Sequence, residues 1–311
     1  MIMPKPADGR LTAVLDGVVD ALGLKPCRII TLKDIPLQNG SWLLEMADRR
    51  RVVLRRYHAL ATLPDLCYEH EVLGYLARAG WIVPEPTDDL VHHEGFWYCQ
   101  TRYVPGAPVS HETGAQRRRR GTDLASLNLA LRDLGGQIGQ RPGWRAQHTG
   151  VTVHTSIDWD AGVRGLMEVS PRLGSWAYAA AAQAHDALHA IGAAELPVTV
   201  VHGDFHEPNV HYEHGHLAGV IDFGLTHLDS RPYELAIART YRSPETIAAY
   251  REELARNEWP LSELEEAAIE PVNRAFRVDM AGWQMEHGRG TGRYDLAKIE
   301  RQLSRTGTAP P

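Results

Sequence analysis

Two short stretches decide the fold: residues 202–209 read HGDFHEPN, and residues 220–224 read VIDFG. Asp204, Asn209 and Asp222 are their important polar residues. Phosphoryl transfer needs a base that orients the acceptor hydroxyl, and oxygen ligands that hold Mg²⁺ against the nucleotide phosphates. Asp204 can accept the hydrogen bond of the hydroxyl, and Asn209 and Asp222 can bind the metal ion. The two stretches together therefore predict phosphoryl-transfer chemistry.

Two other interpretations of these residues remain open. Asp, Asn and Gly are common in turns, so the polar side chains could belong to an ordinary loop. Zinc binding is the competing chemistry, but the nearby histidines lack the spacing of a two-histidine helix motif. These histidines are His202, His206, His211, His214 and His216. The order of the two motifs after a strand-rich segment favours phosphoryl transfer over both alternatives.

The first part of the chain has the pattern of a small antiparallel sheet. Short β-prone runs are separated by turn residues such as Asn39-Gly40, which predicts a meander of strands. A helix is predicted from Leu11 to Leu22 and a second one from Pro64 to Ala79. The predicted strands are residues 28–35, 41–47, 51–57, 88–94 and 96–104.

The chain after Pro105-Gly106 is predicted to be mainly helical. Residues 176–191 are rich in alanine, and the run Arg117 to Arg120 is expected to form a solvated basic helix face. One further helix face is predicted from Leu124, Leu127, Leu131, Leu134 and Ile138. The whole pattern predicts an α+β chain with a small N-terminal lobe, residues 1–104, and a larger helical C-terminal lobe, residues 105–311.

The order and spacing of HGDFHEPN and IDFG resemble those of the aminoglycoside phosphotransferase and choline kinase family, whose members are relatives of protein kinases. The resemblance implies a bilobal, protein-kinase-like fold and a small-molecule kinase that uses ATP or GTP and Mg²⁺. It also implies site residues: Asp204 is the catalytic base, Asn209 and Asp222 are metal ligands, and His202 shapes the catalytic loop.

The resemblance also implies that a cation on the third strand contacts the nucleotide phosphates. The family usually has lysine at this position, whereas this sequence has Arg55, with Arg56 as the alternative. Glu69, on the predicted helix, aligns with the glutamate that pairs with this cation, and Glu71 is its alternative. Arginine keeps the positive charge and can bind two phosphate oxygens, but its head group is larger and planar.

Four further residues complete the expected nucleotide site. Residues 37–41 lie where kinases cover the phosphates with a loop, and Ser41 could approach a phosphate there. This segment has only one glycine, so an ordinary hairpin turn explains it equally well. By family position, the hinge between the lobes is expected to bind the adenine through the backbone of residues 100–103, which include Gln100, Arg102 and Tyr103.

Composition and charge limit the possible partners. The formal net charge of −6 gives no general reason to expect nucleic acid or an anionic membrane as a partner. The three cysteines are widely spaced, which predicts neither a disulfide framework nor a cysteine zinc site. The sequence shows neither a signal-peptide pattern nor an apolar run of membrane-spanning length, so we expect a cytoplasmic protein.

Three functions agree with these observations: a kinase that inactivates an antibiotic, a metabolic kinase for a small alcohol such as homoserine or choline, and a noncatalytic nucleotide-binding relative. The third is disfavoured because Asp204, Asn209 and Asp222 are all present. A protein kinase is also disfavoured, because no APE segment follows IDFG. The sequence does not determine the acceptor, the choice between ATP and GTP, or the oligomeric state.

Overall fold

The chain has 311 residues, and a computed structural model describes most of them. The described residues are 9–33, 39–109, 112–240 and 244–309. The chain divides into two compact units. The first unit consists of Met1–Val109 and Pro208–Asp222, and the second of Ser110–Glu207 and Phe223–Pro311. The domain boundary predicted at residues 104 and 105 stays a prediction.

Strands and helices of the described residues are numbered in chain order. The strands are β1 Pro26–Lys33, β2 Gly40–Met46, β3 Arg51–Arg56, β4 Val91–His93, β5 Phe96–Arg102, β6 Thr199–Val201, β7 Val210–Glu213, β8 His216–Val220 and β9 His227–Asp229. The helices are α1 Gly9–Ala21, α2 Leu63–Arg78, α3 Gly114–Leu131, α4 Gly135–Ile138, α5 Trp159–Val169, α6 Pro171–Ala190, α7 Arg231–Thr240, α8 Pro244–Arg256, α9 Glu263–Thr291 and α10 Leu296–Leu303.

The first unit is organised around a five-stranded antiparallel sheet with the strand order β1-β2-β3-β5-β4. Successive side chains along β3 point to opposite faces of this sheet. Val52 and Leu54 pack in one hydrophobic cluster with residues of α1, whereas Tyr57, directly after the strand, packs with Leu66 of α2. The two helices therefore cover opposite faces of the sheet.

The second unit is mainly helical, and its core lies around α6 and α9. Ala177, Ala180 and Ala184 of α6 are buried in the same cluster as Val272 and Phe276 of α9. Small alanine side chains allow two helices to approach closely, which explains the alanine-rich sequence of α6. Together with the sheet of the first unit, this confirms the predicted fold class, a small antiparallel sheet with one main helix followed by a mainly helical part.

The helix predicted to continue through Ile138 is interrupted. α3 ends at Leu131, and the short α4 starts at Gly135. Two consecutive glycines at residues 135 and 136 weaken a helix at this point. A Cβ atom on Gly135 would lie 3.0 Å from Cδ2 of Leu228, so a larger residue here would require the Leu228 side chain of β9 to shift. The apolar spacing alone did not predict this break.

The arginine run of α3 is not simply a solvated face. Arg117 and Arg118 form ion pairs with Glu245 and Glu252 of α8, at 2.7 and 2.5 Å. Arg120 is buried and pairs with Glu112, which precedes the helix. These pairs tie α3 to neighbouring segments of the second unit.

None of the helices in the described part of the chain has the length and apolar character that spanning a bilayer requires.

Candidate active site

The predicted catalytic loop, residues 202–209, begins where β6 ends, and its first residues lie in the second unit. His202 is completely buried, and its ring lies 4.4 Å from the ring of Phe223 and 5.7 Å from that of Phe205, measured between centroids. Nδ1 of His202 accepts a hydrogen bond of 3.1 Å from the backbone N–H of Asp204. The buried imidazole therefore holds the backbone that carries Asp204.

The carboxylate of Asp204 is partly accessible to solvent, with 28% of its side chain exposed. Its Oδ1 atom lies 3.2 Å from Nε2 of His206. The backbone N–H of His206 also donates to the carbonyl oxygen of Asp204, at 3.0 Å. His206 thus restrains both the side chain and the backbone of Asp204, and the accessible carboxylate can accept a hydrogen bond from a bound hydroxyl.

Gly203 allows the sharp turn of this loop. Its φ of +80° lies in the left-handed region, which is costly for residues with a Cβ atom. A Cβ atom at this position would also lie 2.4 Å from the carbonyl oxygen of Leu225. Both backbone conformation and close packing therefore require glycine immediately before Asp204.

We expect Gly203→Ala to lower turnover about tenfold and to destabilise the protein, because the new methyl group must displace the backbone near Asp204. Gly215→Ala is the matched control: Gly215 has a φ of +77°, but a Cβ atom there would meet nothing within 4 Å. Its cost should be limited to backbone strain of about 1 kcal/mol. Steady-state kinetics and thermal unfolding of both variants measure the difference. Equal loss of turnover in both would contradict the role of the close contact.

Glu234 supports the same loop, although no sequence motif marks it. Its carboxylate accepts a hydrogen bond of 2.5 Å from the N–H of His202, and a second one of 3.3 Å from the N–H of Gly203. Glu234 lies in the first turn of α7 and is completely buried. Burial raises the pKa of this carboxyl to about 7, although the hydrogen bond from His202 acts in the opposite direction.

Glu234 is itself held from α3 and α8. Nδ2 of Asn128 donates to its Oε1 atom at 3.3 Å, and the hydroxyl of Tyr250 donates to Oδ1 of Asn128 at 2.7 Å. All three side chains are fully buried. Since buried polar groups are costly unless paired, this chain of hydrogen bonds fixes the position of Glu234 and, through it, the catalytic loop.

The predicted metal ligands lie at one end of a hairpin in the first unit. β7 and β8 pair antiparallel, with Val210 opposite Val220. One step beyond this pair, the N–H of Ile221 donates to the carbonyl oxygen of Asn209 at 2.9 Å. Asn209 and Asp222 therefore leave the hairpin at the same end. Asp222 has a φ of +63°, a conformation that Asp and Asn tolerate better than most other residues.

Arg55 is buried between two carboxylates in the first unit. Its Nη1 atom lies 2.8 Å from Oε1 of Glu69, and its Nη2 atom lies 3.6 Å from Oδ1 of Asp222. Burial opposes the charge of Arg55, but Glu69, followed by Tyr57 and Asp222, more than compensates, so the pKa of this guanidinium lies above its usual value. Arg55 therefore keeps its positive charge next to the predicted metal ligand.

The alternatives for this pair lie elsewhere. Arg56 points to the opposite face of the sheet, where its guanidinium carbon lies 5.6 Å from the ring centroid of Trp42 and 5.0 Å from that of Phe96. Glu71 is exposed, whereas Glu69 is 1% exposed. The structure thus brings together Arg55, Glu69 and Asp222 and separates Arg56 from them, while the role of Arg55 toward a nucleotide stays a prediction.

The remaining residues predicted to bind the nucleotide are not part of the Arg55, Glu69 and Asp222 group. Ser41 lies opposite Arg55 in the β2–β3 pairing, and Leu37 and Gln38 of its predicted loop lie outside the described residues. Within the predicted hinge, the carbonyl oxygen of Gln100 accepts from the N–H of Thr87.

The other hinge residues also have partners within the first unit. The N–H of Arg102 donates to the carbonyl oxygen of Glu85 at 2.8 Å. The guanidinium carbon of Arg51 lies 5.6 Å from the ring centroid of Tyr103. The carbonyl oxygen of Gln100 and the N–H of Arg102 are therefore already used at the edge of β5.

The donor set at the end of the hairpin fits a magnesium ion. Asp222 and Asn209 both offer side-chain oxygens, which Mg²⁺ prefers, and Mg²⁺ is commonly held by one or two such ligands together with substrate phosphates and water. No group of three or more His, Cys, Asp or Glu side chains among the described residues is placed to hold a metal ion.

A model of the phosphotransferase enzyme family matches residues 36–268 of the chain, which is more than half of its length. The chain belongs to this family. The predicted class is thereby confirmed: the phosphotransferase is a small-molecule kinase. The individual roles of the site residues remain predictions.

Several solved structures are similar to the phosphotransferase. The apo form of a thermostable mutant of aminoglycoside phosphotransferase APH(4)-Ia shares 18% sequence identity, with a TM-score of 0.65 and coverage of 94% of this chain and 96% of that chain. For amicoumacin kinase hAmiN the identity is 15%, the TM-score 0.71 and the coverage 96% and 93%. For a macrolide 2′-phosphotransferase from Brachybacterium faecium they are 16%, 0.58, and 97% and 98%. At such identities the similarity establishes the fold. No protein with a curated description matches the sequence.

Proposed function

We propose that this phosphotransferase transfers the γ-phosphate of ATP or GTP to a hydroxyl group of an antibiotic. In this proposal the enzyme uses Mg²⁺ as its metal ion and acts in the cytoplasm. Similar structures support the substrate class: hAmiN has been solved with AMP-PNP and Ca²⁺, and a mutant of APH(4)-Ia with ADP and hygromycin B. The family supports the reaction class.

The observation that carries the proposal is the environment of Arg55. Nη1 of Arg55 pairs with Glu69 at 2.8 Å, whereas its buried Nη2 atom makes no hydrogen bond among the described residues and has only the longer ion pair of 3.6 Å with Asp222. A buried N–H without a hydrogen bond is costly, and an anionic oxygen from a ligand would accept one from this Nη2 atom. Phosphate oxygens of a nucleotide have the charge and geometry that a guanidinium binds well.

Asn209 and Asp222 would hold the metal ion at the end of the β7–β8 hairpin. Bound there, Mg²⁺ would neutralise negative charge on the phosphates. Asp204 would orient the acceptor hydroxyl and accept its proton on the carboxylate, while His206 limits the orientations that this carboxylate can adopt.

The adenine or guanine ring is expected to bind beyond the end of β5. Since Gln100 and Arg102 already use the backbone groups described above, we propose that the backbone of Tyr103 makes the contact in their place. The proposal narrows the predicted hinge from residues 100–103 to the residue directly after β5.

The experiment that tests the proposal incubates the protein with ATP or GTP, Mg²⁺ and a panel of hydroxylated antibiotics, with homoserine and choline as alternative acceptors. We expect nucleotide consumption and a phosphorylated antibiotic, identified by mass spectrometry, and a rate of product formation at least about 100-fold lower with Asp204→Asn. Products with homoserine or choline alone would favour the metabolic kinase. Absence of product with every acceptor and both nucleotides would favour the noncatalytic relative.

Replacing the metal ligands should raise the Mg²⁺ concentration needed for half-maximal turnover. We expect about a tenfold rise for Asp222→Asn and a smaller rise for Asn209→Ala, because the formal charge of Asp222 attracts the cation directly. Asparagine also suits the left-handed backbone of residue 222. Glu213→Gln removes a carboxylate from the same hairpin, at the strand end of β7 away from both ligands, and should change nothing. Unchanged Mg²⁺ titrations in both ligand variants would show that the assignments are wrong.

A further inference from the structure

We propose that Tyr57, held in place by His70, is a positioning residue that orients the guanidinium of Arg55 for phosphate binding. This inference rests on the proposed function, in which Arg55 contacts the nucleotide. It assigns a role to two residues outside the motifs of the family.

Strand geometry places Tyr57 beside Arg55. The two residues are separated by one position, so they point to the same face of the sheet. The guanidinium carbon of Arg55 lies over the Tyr57 ring, 4.8 Å from its centroid, which is within the range of a cation–π contact. Tyr57 is 1% exposed, so this contact is shielded from water.

His70 fixes the far end of the Tyr57 ring. The tyrosine hydroxyl lies 2.8 Å from Nε2 of His70, and the two rings are tilted at 48° with their centroids 5.9 Å apart. His70 directly follows Glu69 on α2. Consecutive residues of one helix therefore act on the same cation, Glu69 through an ion pair and His70 through the Tyr57 ring.

The chemistry of arginine explains why such a contact is needed here. The ammonium of a lysine is compact, and a single carboxylate can position it. A guanidinium is a plane with several N–H groups, so the pair between Nη1 and Glu69 and the longer one between Nη2 and Asp222 leave the tilt of this plane undefined. Contact with the face of Tyr57 restricts that orientation, and the buried Nη2 atom can then meet a phosphate oxygen at low entropic cost.

The test is a double-mutant cycle between residues 55 and 57. We expect Tyr57→Leu to weaken nucleotide binding about 3- to 20-fold, measured by calorimetry and as KM, with a smaller effect on kcat. In the Arg55→Lys background the same change should weaken binding less than about twofold. Tyr57→Phe keeps the ring but loses the hydrogen bond with His70, so its nucleotide affinity should lie between those of wild type and Tyr57→Leu.

Tyr98→Leu is the matched control, because Tyr98 is an equally buried tyrosine in the hydrophobic cluster on the α1 face of the sheet. It should lower thermal stability without changing nucleotide affinity. Equal effects of Tyr57→Leu on arginine and lysine backgrounds would overturn the positioning role. If Tyr57→Leu does not fold, equal effects of Tyr57→Phe in the two backgrounds would overturn it as well. Unchanged nucleotide affinity in Arg55→Ala would instead overturn the proposed function.

Discussion

Asp204→Asn should lower kcat by roughly 100- to 10,000-fold while nucleotide affinity stays close to that of wild type. Asparagine has nearly the same shape as aspartate but cannot accept the proton of the acceptor hydroxyl, so the loss appears in turnover. His202 binds the backbone N–H of residue 204, and this contact does not depend on the side chain. The variant is therefore expected to fold normally. Single-turnover kinetics and calorimetric nucleotide binding provide the measurement.

Glu207→Gln is the control for Asp204→Asn, because it removes the same charge from the same loop. Its turnover should stay within a few-fold of wild type. Comparable losses in the two variants would mean that the charge of the loop, and not the Asp204 carboxylate, controls the reaction.

Glu234→Ala should lower kcat about 100-fold and destabilise the protein by about 3 kcal/mol or more. The substitution removes the acceptor of two backbone N–H groups in the catalytic loop, and each unpaired buried donor costs about 1–3 kcal/mol. A loop shifted by about 1 Å can by itself lower the rate 100-fold. Glu234→Gln keeps one acceptor oxygen, so its loss of turnover should be nearer tenfold.

Asp279→Asn is the control for the Glu234 variants, because it changes a buried carboxyl group that does not contact the loop. Asp279 is also completely buried, burial raises its pKa to about 7, and its Oδ1 atom accepts from the N–H of Val153 and not from the catalytic loop. Asp279→Asn should therefore keep normal turnover. Equal turnover of Glu234→Gln and wild type would show that the contact of Glu234 with the loop is only structural.

The pH dependence of stability provides a second measurement on the same variants. The pKa of Glu234 rises from 4.5 to about 7 on folding, and that of Asp279 from 3.8 to about 7. In this range the folded state binds protons that the unfolded state has lost, so the free energy of unfolding should fall as pH rises from about 5 to 7. Each amide variant should lose less stability over this range than the wild-type protein does.

The spacing of apolar residues predicted most of the fold, because this spacing reflects which side chains are buried. Turn residues and alternating patterns predicted the strands of the first unit. The five-stranded sheet contains these strands, but their first and last residues differ from the predicted ones. The break after Leu131 was missed, since the leucine spacing continues across it. Past the break, Gly135 lies close to Leu228, a contact between distant parts of the sequence that the leucine spacing does not show.

Some residues of the candidate site could likewise be predicted from the local sequence, whereas others depend on contacts between distant segments. Asp204, Asn209 and Asp222 lie in short motifs, so the local sequence was enough to predict a role for each of them. Two adjacent arginines left the cation ambiguous, and pairing of β3 with its neighbours decides which of them lies beside Glu69.

Glu234 gave no local signal. A lone glutamate at the start of a helix is ordinary, and only the folded chain shows that it binds the N–H groups of residues 202 and 203. Its position in the first turn of α7 does not distinguish it either, because acidic residues are favoured there for the helix dipole alone.

In the β7–β8 hairpin, the length of the turn does not determine where the residues at the opposite end of the two strands lie. Asn209 and Asp222 are aligned by strand pairing, while the turn at His214 and Gly215, both with positive φ, lies at the other end. Loop tips tolerate insertions when the paired backbone is left intact. A short peptide tag inserted between His214 and Gly215 should therefore leave the two proposed metal ligands in place, which makes the turn a suitable attachment point for a fluorescent label or an affinity handle.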